Sequence, residues 1–403
     1  MKIVVVGNNV AGVTTAKAIR DLSPEAEIVI FSAEPHHYYA RPMLIEFIAG
    51  SIPEERILMN KPEWYAKNRL DVRLSTRVEK IDATKKAVLA GGEWHAYDRL
   101  VLATGASPFV PPIPGIPKKW VMTLRTLDDA KRIKERAPSI KSAVIVGGGL
   151  LGLEAANALR RAHPGMKVHI LEMGEYLLPR QLDREAGMIL EKLMLPLGID
   201  LHPKADTSSI DGTDEEMVVM LKSGETIETQ LVVISAGVRP NLQLAKDSGL
   251  TVGRGLAVDS EMRCSPVDGI FAVGDVAEFQ GVVWGIIPVA LEQAKVAARK
   301  ALGIEGPEYR SIPPANTLKV MGIDLTSVGL AVNPGAGHEE IRASSPDGKV
   351  YKKYVVKDGK LVGAILLGTK KGALAVTKMV KDGADVSGIK AKLVDVNYDF
   401  NPN

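Results

Sequence analysis

The chain has 403 residues, 46% apolar and 25% charged, proportions ordinary for a globular protein and far from those of disordered or collagen-like chains. Its 51 Lys and Arg stand against 48 Asp and Glu, a net +3 too balanced to indicate a nucleic-acid partner, and the single cysteine, Cys264, excludes an intrachain disulfide and any paired-cysteine motif. Apolar runs are strand-length and broken by glycine, so no membrane span is expected; with the first strand pattern beginning at Ile3, no signal peptide and a cytoplasmic location are expected too.

The first element in chain order is an aliphatic strand, Ile3 to Val6, which runs into Gly7-Asn8-Asn9-Val10-Ala11-Gly12 and a helix. Such a turn lets the backbone approach a pyrophosphate at a helix N-terminus, while an acid ending the next strand accepts from ribose hydroxyls. Glu34 lies 22 residues after Gly12, where that acid is needed. Asn9 stands where the middle glycine is expected, and its tolerance of unusual backbone angles predicts that the turn survives. A long irregular connection follows, containing Pro35-His36-His37-Tyr38-Tyr39-Ala40-Arg41-Pro42, and then short strands up to about residue 110. The strand from Asp98 to Leu102 leads into Ala103-Thr104-Gly105, and the proline-rich stretch from Pro108 to Pro117 disfavours helix and reads as a linker.

The pattern then repeats. Ala143 to Val146 run into Gly147-Gly148-Gly149-Leu150-Leu151-Gly152 and a helix, with Glu172 placed 20 residues after Gly152 and a later strand leading to Gly237. One glycine turn would be weak evidence, because strand-to-helix junctions also use glycine for close packing. Two such units, each with its acid, predict two dinucleotide sites, best fitted by a flavin and a nicotinamide in an enzyme that moves electrons between them. Glu172 would accept from a free 2′-hydroxyl and repel a 2′-phosphate, which predicts NADH over NADPH. Further on, Asp268 to Asp275 read as a buried strand ending in Gly274-Asp275, and Pro288 opens a helix. After Pro313-Pro314, two strands flank Lys357-Asp358-Gly359-Lys360, a hairpin signal, and a helix is predicted over 370–380. The lysines of this last segment, including Lys349, Lys352, Lys353, Lys357, Lys360, Lys370 and Lys371, read as a solvated face. The seven histidines show no metal-ligand spacing and are expected in loops.

This order of motifs, from Gly7 to Gly12, Ala103 to Gly105, Gly147 to Glu154 and Gly274-Asp275, resembles the two-dinucleotide-binding flavoproteins of the pyridine nucleotide-disulfide oxidoreductase superfamily over essentially the whole chain. Tyr38 to Leu44, Ile48-Ala49-Gly50, Leu177 to Asp183 and Thr317 to Gly322 are most similar to NADH:rubredoxin oxidoreductases and the NADH-oxidising portion of assimilatory nitrite reductases. The resemblance implies an α/β fold with two Rossmann-like dinucleotide-binding domains, for FAD and NAD, and a small C-terminal α/β domain. The FAD domain would be discontinuous, over 1–110 and 238–310, the NAD(P)H domain would cover 111–237, and the C-terminal domain 311–403.

It also implies roles. Gly7, Asn9, Val10, Ala11 and Gly12 would hold the FAD pyrophosphate, Glu34 its adenosine ribose, and Val78 the adenine; Ala103, Thr104, Gly105, Gly237, Gly274, Asp275 and Pro288 would complete the cofactor contacts. Arg41 and Pro42 would lie beside the isoalloxazine. Gly147, Gly149, Leu150, Leu151 and Gly152 would hold the NADH pyrophosphate, with Glu172 on the ribose and Glu154 near the nicotinamide. Arg41 and Glu154 are the residues expected to serve catalysis. The bland alternatives are a surface ion pair for Arg41 and a helix cap for Asp275.

Members with thiol chemistry carry a reactive cysteine, or a pair, in the connection after the first unit, where this chain has Ala40 and Arg41. Cys264 reads as a packed structural thiol. The expectation is hydride transfer from NADH to FAD and electron release to rubredoxin or a ferredoxin. The alternatives are an NADH oxidase giving peroxide, a reductase subunit of a larger assembly, or a redox-sensing binding protein. The acceptor and the oligomeric state leave no motif in the chain.

Overall fold

A computed structural model describes residues 1–311 and 315–400; the Pro313-Pro314 pair lies outside the described residues. Contacts divide the chain into two compact units, one of Met1–Met43, Ile52–Ser107 and Val238–Ile312, the other of Leu44–Ser51, Pro108–Gly237 and Pro313–Asn403. Among the described residues no helix is long and apolar enough to cross a membrane.

The first unit is built on a parallel five-stranded sheet in the order Ile270–Ala272, Arg99–Leu102, Lys2–Val6, Glu27–Phe31, Asp71–Arg73. Its central strand is an apolar run because both faces of the sheet are covered, one by helices and the other chiefly by the antiparallel strands Val78–Asp82 and Ala87–Ala90, and Ile3, Val4 and Val5 are fully buried. Chain order reverses at Lys2–Val6, with its neighbours leaving on opposite sides, which is where doubly wound sheets form their ligand crevice. Helix Val10–Leu22 follows and packs its Ala11, Ala16 and Ile19 against Ala290, Ala297 and Ala301 of helix Ile287–Ala301, which has the expected proline in its first turn. The long connection is less irregular than its sequence suggests: it holds the helices Leu44–Ile48 and Pro62–Lys67.

The second unit repeats the arrangement with a parallel sheet in the order Asp200–Pro203, Lys167–Glu172, Ser142–Val146, Leu231–Ile234, Val121–Thr123. Again the strand before the glycine turn is the reversal point. A three-stranded antiparallel sheet (Thr207–Gly212, Met217–Leu221, Thr226–Thr229) precedes its fourth strand in sequence. The C-terminal part is an antiparallel sheet in the order Ala315–Val320, Ile323–Gly329, Lys360–Leu367, Tyr351–Lys357, Glu339–Ser344, with helix Ala373–Asp382 against it. Lys357 pairs with Lys360 across Asp358 and Gly359, both at positive φ, so the predicted Asp-Gly hairpin forms.

Two expectations fail here. Lys352 and Lys353 are not on a solvated face: they are 1% and 2% exposed, because both faces of strand Tyr351–Lys357 are covered and the usual alternation of buried and exposed residues is lost. Lys352 donates to the Tyr398 carbonyl at 3.0 Å, and burial, with Lys371 next in effect, lowers its pKa. Nor are the histidines all in loops. His169 and His202 lie on neighbouring parallel strands with ring nitrogens 3.2 Å apart, and His95 lies on strand Glu93–Ala96.

Candidate nucleotide-binding sites

The two glycine turns have the same backbone. Gly7 and Gly147 have φ of +117° and +119°, a conformation that side chains rarely adopt, and a Cβ on either would fall within 2.4 Å of a carbonyl oxygen, that of Ala103 or of Ser235. Gly12 and Gly152 fill the same role in the two helices, since a Cβ there would fall 1.9 Å and 2.1 Å from the Gly7 and Gly147 carbonyl oxygens. The glycines are therefore fixed by close packing of helix on strand. What exposes the helix N-terminus is the position between them.

That position is Asn9 in one turn and Gly149 in the other. Gly149 has φ −80° and ψ 174°, no side chain caps its helix, and nothing lies within 4 Å of where a Cβ would stand. Asn9 has φ −104° and ψ −175°, an extended conformation open to any residue, so tolerance of unusual angles is not what preserves this turn. Its side chain caps the helix instead: Oδ1 accepts from Ala11 N at 3.0 Å and Gly12 N at 3.2 Å, while Nδ2 donates to the Ala103 carbonyl at 2.6 Å.

Around the first turn the structure gathers most of the expected residues. Ala103 is held by Asn9, and Thr104 and Gly105 are braced by Asn241, whose Nδ2 donates to the Thr104 carbonyl at 2.8 Å and whose N–H donates to the Gly105 carbonyl at 2.9 Å. Gly274, at φ +79°, stands against Ala11: a Cβ on it would fall 2.7 Å from the Ala11 Cβ. The Gly274 N–H donates to Gln293 Oε1 at 2.8 Å, which fixes the short turn carrying half-buried Asp275. Val10 opens the first helix, Pro288 lies exposed at the start of another, and Val78 is buried as the first residue of strand Val78–Asp82. Gly237 belongs to the other unit, where its carbonyl accepts from Phe109 N at 2.8 Å.

Glu34 lies three residues past the strand Glu27–Phe31, and its partner is Arg41, with Arg41 Nη2 2.6 Å from Glu34 Oε1. The Tyr39 hydroxyl donates to the other carboxylate oxygen. Arg41 and Glu34, assigned by resemblance to different parts of the flavin, are thus an ion pair, each less than a third exposed. Pro42 follows, exposed, in the turn Arg41–Met43. Tyr39, though within the Tyr38 to Leu44 stretch, and Asn241 and Gln293 were given no site role by the sequence; only the fold brings them to Glu34, Thr104 and Gly274.

In the second unit Glu172 bends over its turn, accepting from Gly148 N at 2.8 Å and Gly174 N at 2.7 Å. Two backbone donors fix the carboxylate at the end of its strand with lone pairs to spare for hydroxyls. Leu150 and Leu151 are the first two residues of helix Leu150–Ala162. Glu154, one turn along, accepts from Met321 N at 2.7 Å; burial, the largest effect, raises its pKa, and the Met321 bond opposes the rise. Nearby, Arg161 donates to both carboxylate oxygens of Glu46 and, through that bond first, holds Glu46 below the usual carboxylate range.

Cys264 lies 3% exposed in an apolar cluster with Leu100, Leu256 and Ile270, and burial pushes its thiol far up from its ordinary pKa. A thiol so placed is a poor nucleophile.

Each unit thus offers a glycine turn at a reversal point, a helix N-terminus and an acid one strand away, which fits an adenine dinucleotide in both. The chain belongs to the pyridine nucleotide-disulphide oxidoreductase family, whose profile matches residues 1–301, and membership implies FAD and a pyridine nucleotide as cofactors. Residues 314–384 match the C-terminal domain of rubredoxin NAD+ reductase. Among relatives, the NADH-rubredoxin oxidoreductase of Clostridium acetobutylicum is 34% identical over 92% of this chain and 93% of its own; its crystal structure covers 96% of this chain and 97% of that one with a TM-score of 0.81 and 29% identity. The nitrite reductase [NAD(P)H] of Bacillus subtilis is 35% identical over 96% of this chain and 48% of its own. The chain spans about half, or less, of the length of the nitrite and nitrate reductase proteins it matches.

Proposed function

We propose that the chain is an FAD-dependent oxidoreductase that takes electrons from NADH and passes them to a small electron-transfer protein, such as rubredoxin or a ferredoxin, without a redox-active cysteine. The observation that carries this reading is the pair of matching glycine turns, each with its own acid, in a chain whose one cysteine is buried in an apolar cluster. The rubredoxin reductase match in the C-terminal part and the 34% identical NADH-rubredoxin oxidoreductase support the choice of acceptor.

In this reading residues 1–110 and 238–310 form the FAD domain, 111–237 the NADH domain and 311–403 the C-terminal domain. Gly7 to Gly12, Glu34, Ala103 to Gly105, Gly274 and Asp275 would hold FAD; Gly147 to Gly152 and Glu172 would hold NADH. When bound, FAD supplies an acceptor for hydride from NADH and a donor of single electrons. The chain's own task is alignment and electrostatics. The N-termini of helices Val10–Leu22 and Leu150–Ala162 favour the negative diphosphates. Glu172, fixed by Gly148 and Gly174, would select a free 2′-hydroxyl, and Glu154, whose pKa burial raises, would lie by the nicotinamide.

A second reading, the reductase portion of a larger assembly, is favoured by the chain's matching only about half of the nitrite and nitrate reductase relatives. Acceptor screening of flavin-loaded protein tests both. NADH consumption that requires rubredoxin or ferredoxin and proceeds without air supports the first; turnover appearing only with an added redox subunit supports the second. Turnover driven by oxygen alone would make the protein an oxidase, and tight binding with no turnover would make it a sensor.

A further inference from the structure

Asn9 is the one side chain by which the two glycine turns differ at the position facing the helix N-terminus. Backbone angles there are extended in both turns, and the flanking glycines are pinned by the same close contacts, so the contrast rests on chemistry and not on shape. At Gly149 no side chain reaches the N–H groups of the first helical turn. At Asn9 the amide oxygen takes two of them, Ala11 N and Gly12 N, and the amide nitrogen holds the Ala103 carbonyl at 2.6 Å. These N–H groups are the donors that a helix N-terminus presents to a phosphate.

We infer that Asn9 is a built-in competitor for the FAD diphosphate: its amide oxygen accepts from first-turn donors that the diphosphate also needs, and must turn away when the diphosphate takes them. The inference rests on the reading that the first turn holds FAD. It makes Asn9 a positioning residue with two opposed effects. By capping helix Val10–Leu22 and bracing Ala103 it stabilises the first unit without flavin. By the same bonds it weakens the hold on flavin, since a ligand that must displace an internal partner loses what that partner contributed.

A residue that merely supports the fold would, when removed, weaken both. A residue that contacts FAD favourably would, when removed, weaken binding alone. Competition predicts opposite signs. Asn9→Gly restores the open form seen at Gly149 and introduces no strain, because φ at this position is negative and ordinary. Its flavin-free form should melt slightly below wild type, while its FAD dissociation constant, read by flavin fluorescence on reconstituted apoprotein, should fall by about twofold, the factor that the few tenths of a kcal/mol between an asparagine and a glycine cap represent. Asn9→Ser keeps an acceptor for the helix N–H groups but is too short to hold the Ala103 carbonyl; its FAD affinity should stay near that of wild type, which separates the cap from the brace.

Equal or weaker FAD binding by Asn9→Gly, with wild-type protein binding normally, overturns the competition and leaves the first turn as the FAD site. Absence of FAD binding by the wild-type apoprotein overturns the reading of the turn itself, and the inference with it. Should Asn9→Gly apoprotein fail to fold alone, its affinity is read from the rate of FAD release by the holoprotein in dilute urea. Slower release than wild type supports the inference, and faster release overturns it.

Discussion

The carboxylate of Glu154 accepts a 2.7 Å hydrogen bond from the backbone N–H of Met321, 167 residues further along the chain. Met321 and Gly322, both at positive φ, form the two-residue turn between strands Ala315–Val320 and Ile323–Gly329, so a hairpin tip of the C-terminal sheet meets the helix that follows the second glycine turn. The bond ties a residue expected near the nicotinamide to the segment that matches the rubredoxin NAD+ reductase C-terminal domain.

This link has a pH signature. Burial raises the Glu154 pKa, so the native state holds its proton more tightly than the unfolded chain does. The stability that this protonation contributes is present below the unfolded pKa and is lost as pH rises through the higher folded value. Glu154→Gln, which keeps an acceptor for Met321 N, should escape that loss. Its urea midpoint relative to wild type should rise as pH climbs above the ordinary carboxylate value of about 4.3. A difference that stays flat or shrinks with pH would show that Glu154 is not held towards its neutral form.

Glu172 should decide between NADH and NADPH. Its carboxylate is fixed by Gly148 N and Gly174 N, so it cannot swing away from a 2′-phosphate without losing both bonds. A partly exposed carboxylate-phosphate contact costs roughly 1–3 kcal/mol, or about ten- to a hundredfold in preference for NADH. Glu172→Ala should erase most of that ratio in kcat/KM, chiefly through NADPH. Equal use of both cofactors by the wild-type protein would contradict the assignment.

Lys353 should matter to stability far more than a surface lysine does. It lies 2% exposed, with Nζ 3.2 Å from both Asp183 and Glu340, and Asp183 also caps helix Arg184–Met194 and accepts from the Tyr351 hydroxyl at 2.9 Å. Removing the cation takes the ion-pair partner from Asp183, while Glu340 keeps Arg342; breaking a comparable buried pair costs about 3–5 kcal/mol. Lys353→Met should therefore unfold at clearly lower urea concentration, whereas Lys378→Met, on an exposed helix face, should stay within about 0.5 kcal/mol of wild type. Similar midpoints for the two variants would mean that Lys353 is solvated after all.

The two glycine turns were legible in the sequence because their glycines are demanded locally: Gly7, Gly12, Gly147 and Gly152 each stand where a Cβ would strike backbone a few residues or one strand away. The Asp358-Gly359 hairpin was legible for the same reason. What escaped depends on contacts between distant segments. Periodicity could not show that strand Tyr351–Lys357 is covered on both faces, which buries Lys352 and Lys353. Spacing could not show that Arg41 pairs with Glu34, or that Asn241 and Gln293 brace Thr104 and Gly274. Asn9 was noticed for its backbone tolerance, while its effect comes from its side chain.

The central claim is electron transfer through FAD with no protein thiol. Cys264, the chain's one cysteine, is buried among Leu100, Leu256 and Ile270 with its thiol pushed far above its ordinary pKa. Anaerobic reductive titration of flavin-loaded wild-type and Cys264→Ser protein tests the claim most directly. Both should take up two electrons per flavin and be reduced by NADH at nearly the same rate. Uptake of four electrons by the wild type, or loss of most of the reduction rate in Cys264→Ser with FAD still bound, would contradict the claim and assign the chemistry to the cysteine.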